Sequence, residues 1–172
     1  KNYDANRLIF TTDIKKAINY SDLIFICVGT PTKKGTLKVD LSFVYKCVKE
    51  ILKYTKKKKI IITKSTVPVG TGDEIDKIVK KKKKLFSIIS NPEFLREGEA
   101  IRDFRYPDRI VIGSDNKNEF KTMRKLYSPL ISKGAKFFTT SRKGAELIKY
   151  ASNAFLATKI TFINELANLC EK

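Results

Sequence analysis

Short runs of apolar residues alternate along this chain with segments in which apolar residues recur at helical spacing. The first clear run covers residues 23–28 and is closed by Gly29, Thr30 and Pro31. A continuous apolar run of this kind is typical of a strand buried on both faces of a parallel sheet. Comparable runs predict further strands at residues 60–63, 85–90, 109–113 and 136–139.

Helices are predicted between these strands. Val44, Cys47 and Val48 share one face of a helix that we expect to begin near Asp40, which makes Cys47 a small core residue. Alternation of strand and helix predicts an α/β fold with a parallel sheet. Ligands of such sheets bind at the carboxyl ends of the strands. Two more helices are expected from about residue 73 and over residues 119–127.

From Arg142 onward the pattern changes, because the chain contains no proline and is rich in Ala, Leu, Ile and Asn. It predicts one helix over residues 142–172, which at about 1.5 Å per residue is roughly 45 Å long. A helix of that length suggests a spine that joins two domains or two subunits.

Composition narrows the class of protein. With 172 residues and 42% hydrophobic content, the chain is typical of a globular protein. It has three widely spaced cysteines and no histidine, which argues against a disulfide framework, a zinc site and a Ser-His or Cys-His nucleophile. We expect a reducing cytoplasm, no secretory leader, and no membrane span because the apolar runs are too short.

The formal net charge of +18 suggests nucleic-acid binding as a possible function. Two lysine runs, residues 56–59 and 80–84, lie where a helix gives way to a strand, on the expected solvent side. Neither run is interleaved with aromatic residues as in many nucleic-acid sites. We interpret both as solvated surface and expect no specific nucleic-acid partner, although a basic nucleic-acid-binding protein remains the alternative.

Two strand-end loops carry candidate binding groups. Residues 29–32 offer backbone groups and hydroxyls that can line a nucleotide or simply turn the chain. In residues 65–70, hydroxyls and the amides of the following helix can hold a water, a phosphate or a nicotinamide. The alternative for this loop is a helix cap by Ser65 or Thr66.

Charged side chains mark two further candidate positions. Glu93 and Glu97 flank Phe94 just past a predicted strand, where two carboxylates can act as a general base and an orienting group. Lys149 and Asn153 share one face of the long helix, and a lysine beside an amide suits an oxyanion clamp. The alternatives are ordinary loop glutamates and a solvated lysine.

Five segments follow one another along the chain. They are Val28-Gly29-Thr30-Pro31-Thr32, Ser65-Thr66-Val67-Pro68-Val69-Gly70, Ser90-Asn91-Pro92-Glu93-Phe94-Leu95-Arg96-Glu97-Gly98, Pro107-Asp108-Arg109-Ile110-Val111-Ile112-Gly113 and Lys149-Tyr150-Ala151-Ser152-Asn153-Ala154-Phe155. Taken in this order, they resemble the UDP-glucose 6-dehydrogenase family. The resemblance covers nearly the whole chain, and the third and fourth segments favour the UDP-glucose branch over enzymes acting on UDP-N-acetylmannosamine or GDP-mannose.

The resemblance implies an NAD-dependent oxidation of UDP-glucose to UDP-glucuronate, with two NAD molecules and one water consumed. It implies that Thr66 positions a water and touches the cofactor, and that Glu97 acts in acid–base chemistry and borders the cofactor. Glu93 is implied as a nearby partner that contacts the substrate. Lys149 and Asn153 are implied to bind the substrate and to stabilise charge on the reacting oxygen.

The remaining contacts implied by the resemblance involve backbone groups and a hydroxyl. Val28 and Thr30 are expected against NAD, and the backbone of Phe94 and Leu95 is expected against the sugar nucleotide. The resemblance further implies a homo-oligomer built through the long helix. We expect no metal.

The family pattern also predicts what this chain lacks. The Gly-x-Gly turn for the NAD pyrophosphate and the Gly-Gly-x-Cys segment of the nucleophile are both absent. The chain is therefore interpreted as an internal fragment. Its fold class is α/β, a partial Rossmann-like parallel sheet without the first βαβ unit, followed by a long central helix. Residues 1–140 are assigned to the NAD-binding domain and residues 141–172 to the start of the central, dimerising domain.

We therefore predict that the chain alone is inactive, and that its uncovered sheet edge favours aggregation. Two alternatives remain open for its function. The first is a non-catalytic subunit or remnant that binds complementary pieces. The second is a dehydrogenase for another UDP-sugar, such as UDP-N-acetylmannosamine.

Overall fold

The computed structural model describes residues 3–5 and 7–172, and within them a sheet with helices on both faces. The strands are β1 (Leu23–Ile26), β2 (Lys59–Thr63), β3 (Phe86–Ser90), β4 (Arg109–Gly113) and β5 (Lys136–Thr140). The helices are α1 (Ile14–Tyr20), α2 (Ser42–Tyr54), α3 (Thr71–Val79), α4 (Ala100–Arg105), α5 (Lys117–Leu126), α6 (Ser128–Ile131) and α7 (Arg142–Cys170), and a 3-10 segment covers Lys80–Leu85.

The strands lie in the order β1-β2-β3-β4-β5, so that neighbours in sequence are neighbours in the sheet. β1 pairs with β2, β2 with β3, and β4 with β5 in parallel. The α/β class and the Rossmann-like sheet expected from the sequence are confirmed. The parallel strands bring their carboxyl ends, and the loops that follow them, to one edge of the sheet.

The expectation of a wholly parallel sheet is wrong at one junction. β3 and β4 are antiparallel and meet through the pair Ser90 and Gly113. A parallel pair requires a crossover that packs on the sheet. The helix in this connection is α4, which has only six residues and buries none of them. The chain therefore turns back instead of crossing over.

The expectation that the first strand is buried on both faces is also wrong. β1 lies at the edge of the sheet, and Phe25 within it is 37% exposed. An edge strand is hydrogen-bonded to a neighbouring strand on one side only, and its other side is open to solvent. Leu8, Ile9 and Phe10, which precede it, are exposed as well. The edge of the sheet at β1 is therefore both apolar and exposed.

Two apolar clusters lie on opposite faces of the sheet. Alternation along β2 sends Ile61 into the cluster beneath α1, α2 and α3, and Ile62 into the cluster beneath α5. Ile88 and Ile89 of β3 divide in the same way. The predicted helical face that includes Val44 and Val48 is confirmed, and Cys47 packs against the first cluster.

One lysine of the first lysine run is not on the solvent side. Lys56, Lys57 and Lys58 are exposed, but Lys59 is 2% exposed because it begins β2 on the face of Ile61. Its ammonium donates to the carbonyl of Ser21 and lies 3.8 Å from a carboxylate oxygen of Asp22. The interpretation of the whole run as solvated surface is therefore wrong at Lys59, because its position in β2 buries it. A buried charge requires partners such as these.

The long helix predicted from residue 142 is confirmed as α7, capped by Ser141, whose hydroxyl accepts from the amide of Gly144 at 3.1 Å. Its first turns pack on β3, β4 and α3. Gly113 permits the close approach, because a Cβ there would lie 2.7 Å from that of Ala145. In the part of the chain that is described, no helix is long and apolar enough to span a bilayer.

Candidate functional site

A cleft of about 500 Å³ opens at the carboxyl edge of the sheet, between the loop after β3 and one face of α7. Its size is that of a small-molecule site. Glu93, Phe94 and Leu95 line it from the loop, and Lys149 and Asn153 line it from the helix. The structure therefore brings together all five residues that the sequence assigned to the substrate.

Lys149 is the most deeply placed cation of this cleft. The residue is only 6% exposed, which rules out the alternative of a solvated lysine. Its Nζ lies 3.6 Å from Oε1 of Glu93 and 5.4 Å from the centre of the Phe94 ring. Arg109 lies on the same ring, with its Cζ at 4.4 Å from the centre. A half-buried carboxylate and an aromatic face together hold the ammonium in one place.

Glu93 is held in turn by its own loop. Its Oε2 accepts a hydrogen bond from the backbone amide of Leu95 at 2.9 Å. The carboxylate thus lies between Leu95 and Lys149, half-buried, and its two oxygens have different partners. This geometry supports a carboxylate that orients Lys149.

The loops after β1 and β2 are joined to each other. Thr30 donates from its hydroxyl to the carbonyl of Thr66 at 2.8 Å, and Ser65 donates to the carbonyl of Val28 at 2.6 Å. Val28, Thr30 and Thr66, the predicted cofactor residues, are half-buried at this edge. The alternative of a helix cap is wrong, because α3 begins at Thr71, beyond the reach of either hydroxyl.

The amide groups at the start of α3 do not face a ligand. They are occupied by Glu146, which is 3% exposed. Its carboxylate accepts from the amides of Gly70 at 2.7 Å and Gly72 at 2.8 Å, and from the hydroxyl of Ser90 at 3.0 Å. The hypothesis that these amides hold a phosphate or nicotinamide is therefore wrong, since an internal carboxylate takes that position. Glu146 ties α7 to the Thr66 loop and to β3.

Lys64 also lines the cleft and was missed by the sequence analysis. It follows β2 directly, and its backbone amide donates to the carbonyl of Ile26 at 2.9 Å. Burial lowers the pKa of Lys64 to about 8, against the opposing effect of Glu93 and Cys27 and with a small further lowering by Lys149. A lysine at the end of a strand, just before Ser65, was the signal available in the sequence.

The side chains of Asn91 and Tyr127 support the loop after β3, which carries Glu93. The Tyr127 hydroxyl donates to Oδ1 of Asn91 at 2.6 Å, and Nδ2 of Asn91 donates to the carbonyl of Val111 at 3.0 Å. Burial, with a smaller effect of Cys27, raises the pKa of Tyr127 to about 12. This buried network joins β3 to β4 at the antiparallel junction and fixes the start of the Glu93 loop.

Two predicted catalytic residues, Thr66 and Glu97, do not line the cleft. Glu97 is exposed in a turn with Gly98, whose φ is +83°. Cys27, predicted within a strand, instead follows β1, and burial raises the pKa of its thiol. A raised pKa reduces the thiolate population, so Cys27 is a poor nucleophile. Cys47 and Cys170 lie outside the cleft lining.

The residues at the β1 end fit an elongated cofactor. Val28, Gly29, Thr30, Pro31 and Phe43 line an open groove there, and Gly29 leaves free the space that a Cβ would fill. Backbone groups without bulk suit the flat rings and ribose of a dinucleotide. In the described residues, no group of three His, Cys, Asp or Glu side chains is arranged to hold a metal ion.

Comparison with known proteins gives two family models along the chain. Residues 1–131 match the NAD-binding domain of the UDP-glucose/GDP-mannose dehydrogenase family. Residues 143–172 match the central domain of the same family. The cofactor predicted from the sequence, NAD, is thereby confirmed at the level of the domain.

Curated relatives agree with this result. The UDP-glucose 6-dehydrogenase of Rhizobium meliloti is 50% identical over 99% of this chain and 40% of its own length. That of Rickettsia felis is 50% identical over 98% of this chain and 38% of its own length. The chain thus spans about 40% of the length of the relatives it matches, which agrees with the interpretation as a fragment.

The similarity extends to the three-dimensional fold of solved structures. A GDP-mannose dehydrogenase from Pseudomonas aeruginosa is 34% identical with a TM-score of 0.86, over 94% of this chain and 38% of that one. A UDP-glucose dehydrogenase from Pyrobaculum islandicum is 36% identical with a TM-score of 0.86, over 95% of this chain and 38% of that one. From the family models, the identities and the shared fold, the chain belongs to the UDP-glucose/GDP-mannose dehydrogenase family.

Proposed function

We propose that this chain forms part of an enzyme that oxidises UDP-glucose to UDP-glucuronate with two NAD and one water. The observation that carries the proposal is the buried Lys149, held 3.6 Å from Glu93 in a cleft that Asn153 also lines. A fixed cation beside an amide suits the negative charge that develops on an alcohol oxygen during oxidation. The close relatives that carry the UDP-glucose 6-dehydrogenase name support this substrate.

Each of these residues then has its own role in binding or in the reaction. Lys149 and Asn153 hold the reacting oxygen, and Glu93 orients Lys149. The backbone of Phe94 and Leu95 contacts the sugar nucleotide, and Thr66 positions the water at the edge that it shares with the cofactor. Glu97 acts at a later proton transfer, which requires the turn at Gly98 to bring it toward the cleft.

NAD, when bound, would be the hydride acceptor. Val28 and Thr30 would hold it at the groove after β1, and Thr66 would border it because the Thr30 hydroxyl bonds to the Thr66 carbonyl. Residues 1–140 form the cofactor side of this arrangement, and residues 141–172 begin the central domain. The cytoplasm is the proposed location, and the cysteines described in the structure, all of them free thiols, support it.

A chimera tests the activity. Residues 1–172 replace the matching segment of the Rhizobium meliloti enzyme, and NADH formation is measured with UDP-glucose, UDP-N-acetylmannosamine and GDP-mannose. We expect turnover with UDP-glucose at least 100-fold above the other two, and none from the isolated chain. A chimera that folds, as judged by its circular dichroism and melting, but does not turn over UDP-glucose contradicts the proposal. Preference for another sugar supports the alternative branch.

We further propose that α7 pairs with a second copy of the chain. Phe162 is 61% exposed, and Leu166 and Leu169, one and two turns along on the same face, are 43% and 70% exposed. An apolar face of this kind on a long helix is typical of an interface between subunits.

Phe162→Glu is therefore expected to convert a dimer of the chimera to a monomer in sedimentation velocity, because it places a charge in an apolar contact. Leu37→Glu is the matched control, since Leu37 is fully exposed at 100% outside the helix. A chimera that sediments as a monomer without substitution, or a Phe162→Glu variant that stays dimeric, contradicts the pairing.

A further inference from the structure

The cleft holds a second lysine whose surroundings differ from those of Lys149. Lys149 has the Glu93 carboxylate at 3.6 Å and the Phe94 ring beneath it, and both stabilise its positive charge. Lys64 lies at the end of β2, lines the same cleft and shares it with that cation. Two ammonium groups in one half-buried cleft repel each other, which disfavours the positive charge on Lys64.

We propose that Lys64 is a further catalytic residue of this cleft and accepts the proton of the substrate hydroxyl; the inference rests on the proposed function. In the step, the O–H bond of the C6 alcohol breaks and its proton goes to the neutral amine of Lys64. The C6–H bond breaks as its hydride goes to NAD, and the remaining electron pair forms the C=O bond of the aldehyde. The side chain of Lys149, paired with Glu93, stabilises the oxygen.

Three other titratable groups that line the cleft are unsuited to this role. Asp103 is bound through both its oxygens by Arg96, at 2.7 and 3.0 Å, and these bonds lower its pKa to about 2. Tyr127 already donates to Asn91, and its pKa is about 12. Glu93 is engaged by Lys149 and by the amide of Leu95.

Lys64 has the properties that a base needs near neutral pH. The groups that act on its charge are Glu93 from the loop after β3, Cys27 from the end of β1 and Lys149 from α7. Burial outweighs the two acidic groups and brings its pKa to about 8. Such a lysine carries a substantial neutral fraction at working pH, whereas an exposed lysine does not. Its backbone is held by β1 through the Ile26 carbonyl, so the amine is presented from a rigid edge.

The test uses Lys64→Met and Lys64→Arg in the chimera described above. Both are expected to lower kcat about 100-fold with KM changed by less than threefold, because neither side chain can take up a proton. Activity of the unsubstituted chimera should rise with pH through about 8, as the amine becomes neutral, and the variants should lose this rise. Small primary amines should restore part of the activity of Lys64→Ala. Lys121→Met, an exposed lysine of α5, serves as the control.

A second measurement needs no turnover. The chain is acetylated with acetic anhydride across a pH series, and peptides are quantified by mass spectrometry. Lys64 is expected to react half-maximally near pH 8, at a lower pH than an ordinary exposed lysine.

Lys64→Arg with more than one third of the activity, or labelling of Lys64 that follows Lys121, overturns the inference. If the unsubstituted chimera folds without turnover, the proposed function itself fails, and this inference with it. An active chimera with an active Lys64→Arg variant overturns this inference alone.

Discussion

Lys149→Met in the chimera is expected to lower kcat about 100- to 1000-fold, the usual cost of removing one donor to a developing oxyanion. Methionine preserves the length and the apolar stem, so the packing of α7 stays largely intact. The variant loses the ammonium that we propose to face the reacting oxygen, and it leaves Glu93 without its partner at 3.6 Å. Steady-state NADH formation gives kcat and KM for the comparison.

Lys121→Met is the matched control for Lys149→Met as well, because Lys121 is exposed on α5 and does not line the cleft. We expect its kcat within twofold of the unsubstituted chimera. A Lys149→Met variant that retains more than one tenth of the activity would show that the buried cation serves the fold and not the reaction. UDP-glucose binding, measured by calorimetry, separates a loss of binding from a loss of turnover.

Glu146→Ala is expected to lower the free energy of unfolding of the chain by about 3 kcal/mol. The carboxylate accepts three hydrogen bonds, from the amides of Gly70 and Gly72 and from the hydroxyl of Ser90. Removal of the acceptor leaves these donors without a protein partner, and the donors from Gly72 and Ser90 are buried. The change also releases the N-terminal end of α3 from the negative charge that stabilises it. Urea denaturation followed by circular dichroism measures the effect.

Two comparisons sharpen this stability experiment. Glu165→Ala, at an exposed position on the same helix, is expected within about 0.5 kcal/mol of the unsubstituted chain. Glu146→Gln keeps one carbonyl acceptor but turns an NH₂ group toward the backbone donors, so its loss should lie between the two. A Glu146→Ala variant as stable as Glu165→Ala would mean that water replaces the carboxylate at the helix end.

The strands and the long helix could be predicted because their signals are local. The apolar run before Gly29 and the proline-free stretch after Arg142 are both recognised from neighbouring positions in the chain. Helices α1, α4 and α6 were not predicted, since they are short, and α4 and α6 bury none of their residues. The antiparallel junction at Ser90 and Gly113 also escaped, because strand direction depends on how the connecting segment packs.

The candidate site residues likewise differ in whether their signals are local in the sequence. Lys149 and Asn153 were predicted together because a spacing of four residues places them on one face of a helix. Glu93 was predicted from its position after a strand. Lys64 and Glu146 were missed, because their environments are made by segments that are distant in the chain: Lys64 shares the cleft with α7, and Glu146 reaches the start of α3.

The sequence by itself thus determined the α/β class and the family, and it predicted five residues that line one cleft. These depend on periodicity and on motif order, which are properties of neighbouring positions. Only the tertiary structure decided that Lys149 is buried, that Glu97 lies outside the cleft, and that a carboxylate occupies the α3 terminus. Burial and the partners of a charge depend on contacts between distant segments, and those contacts exist only once the chain has folded.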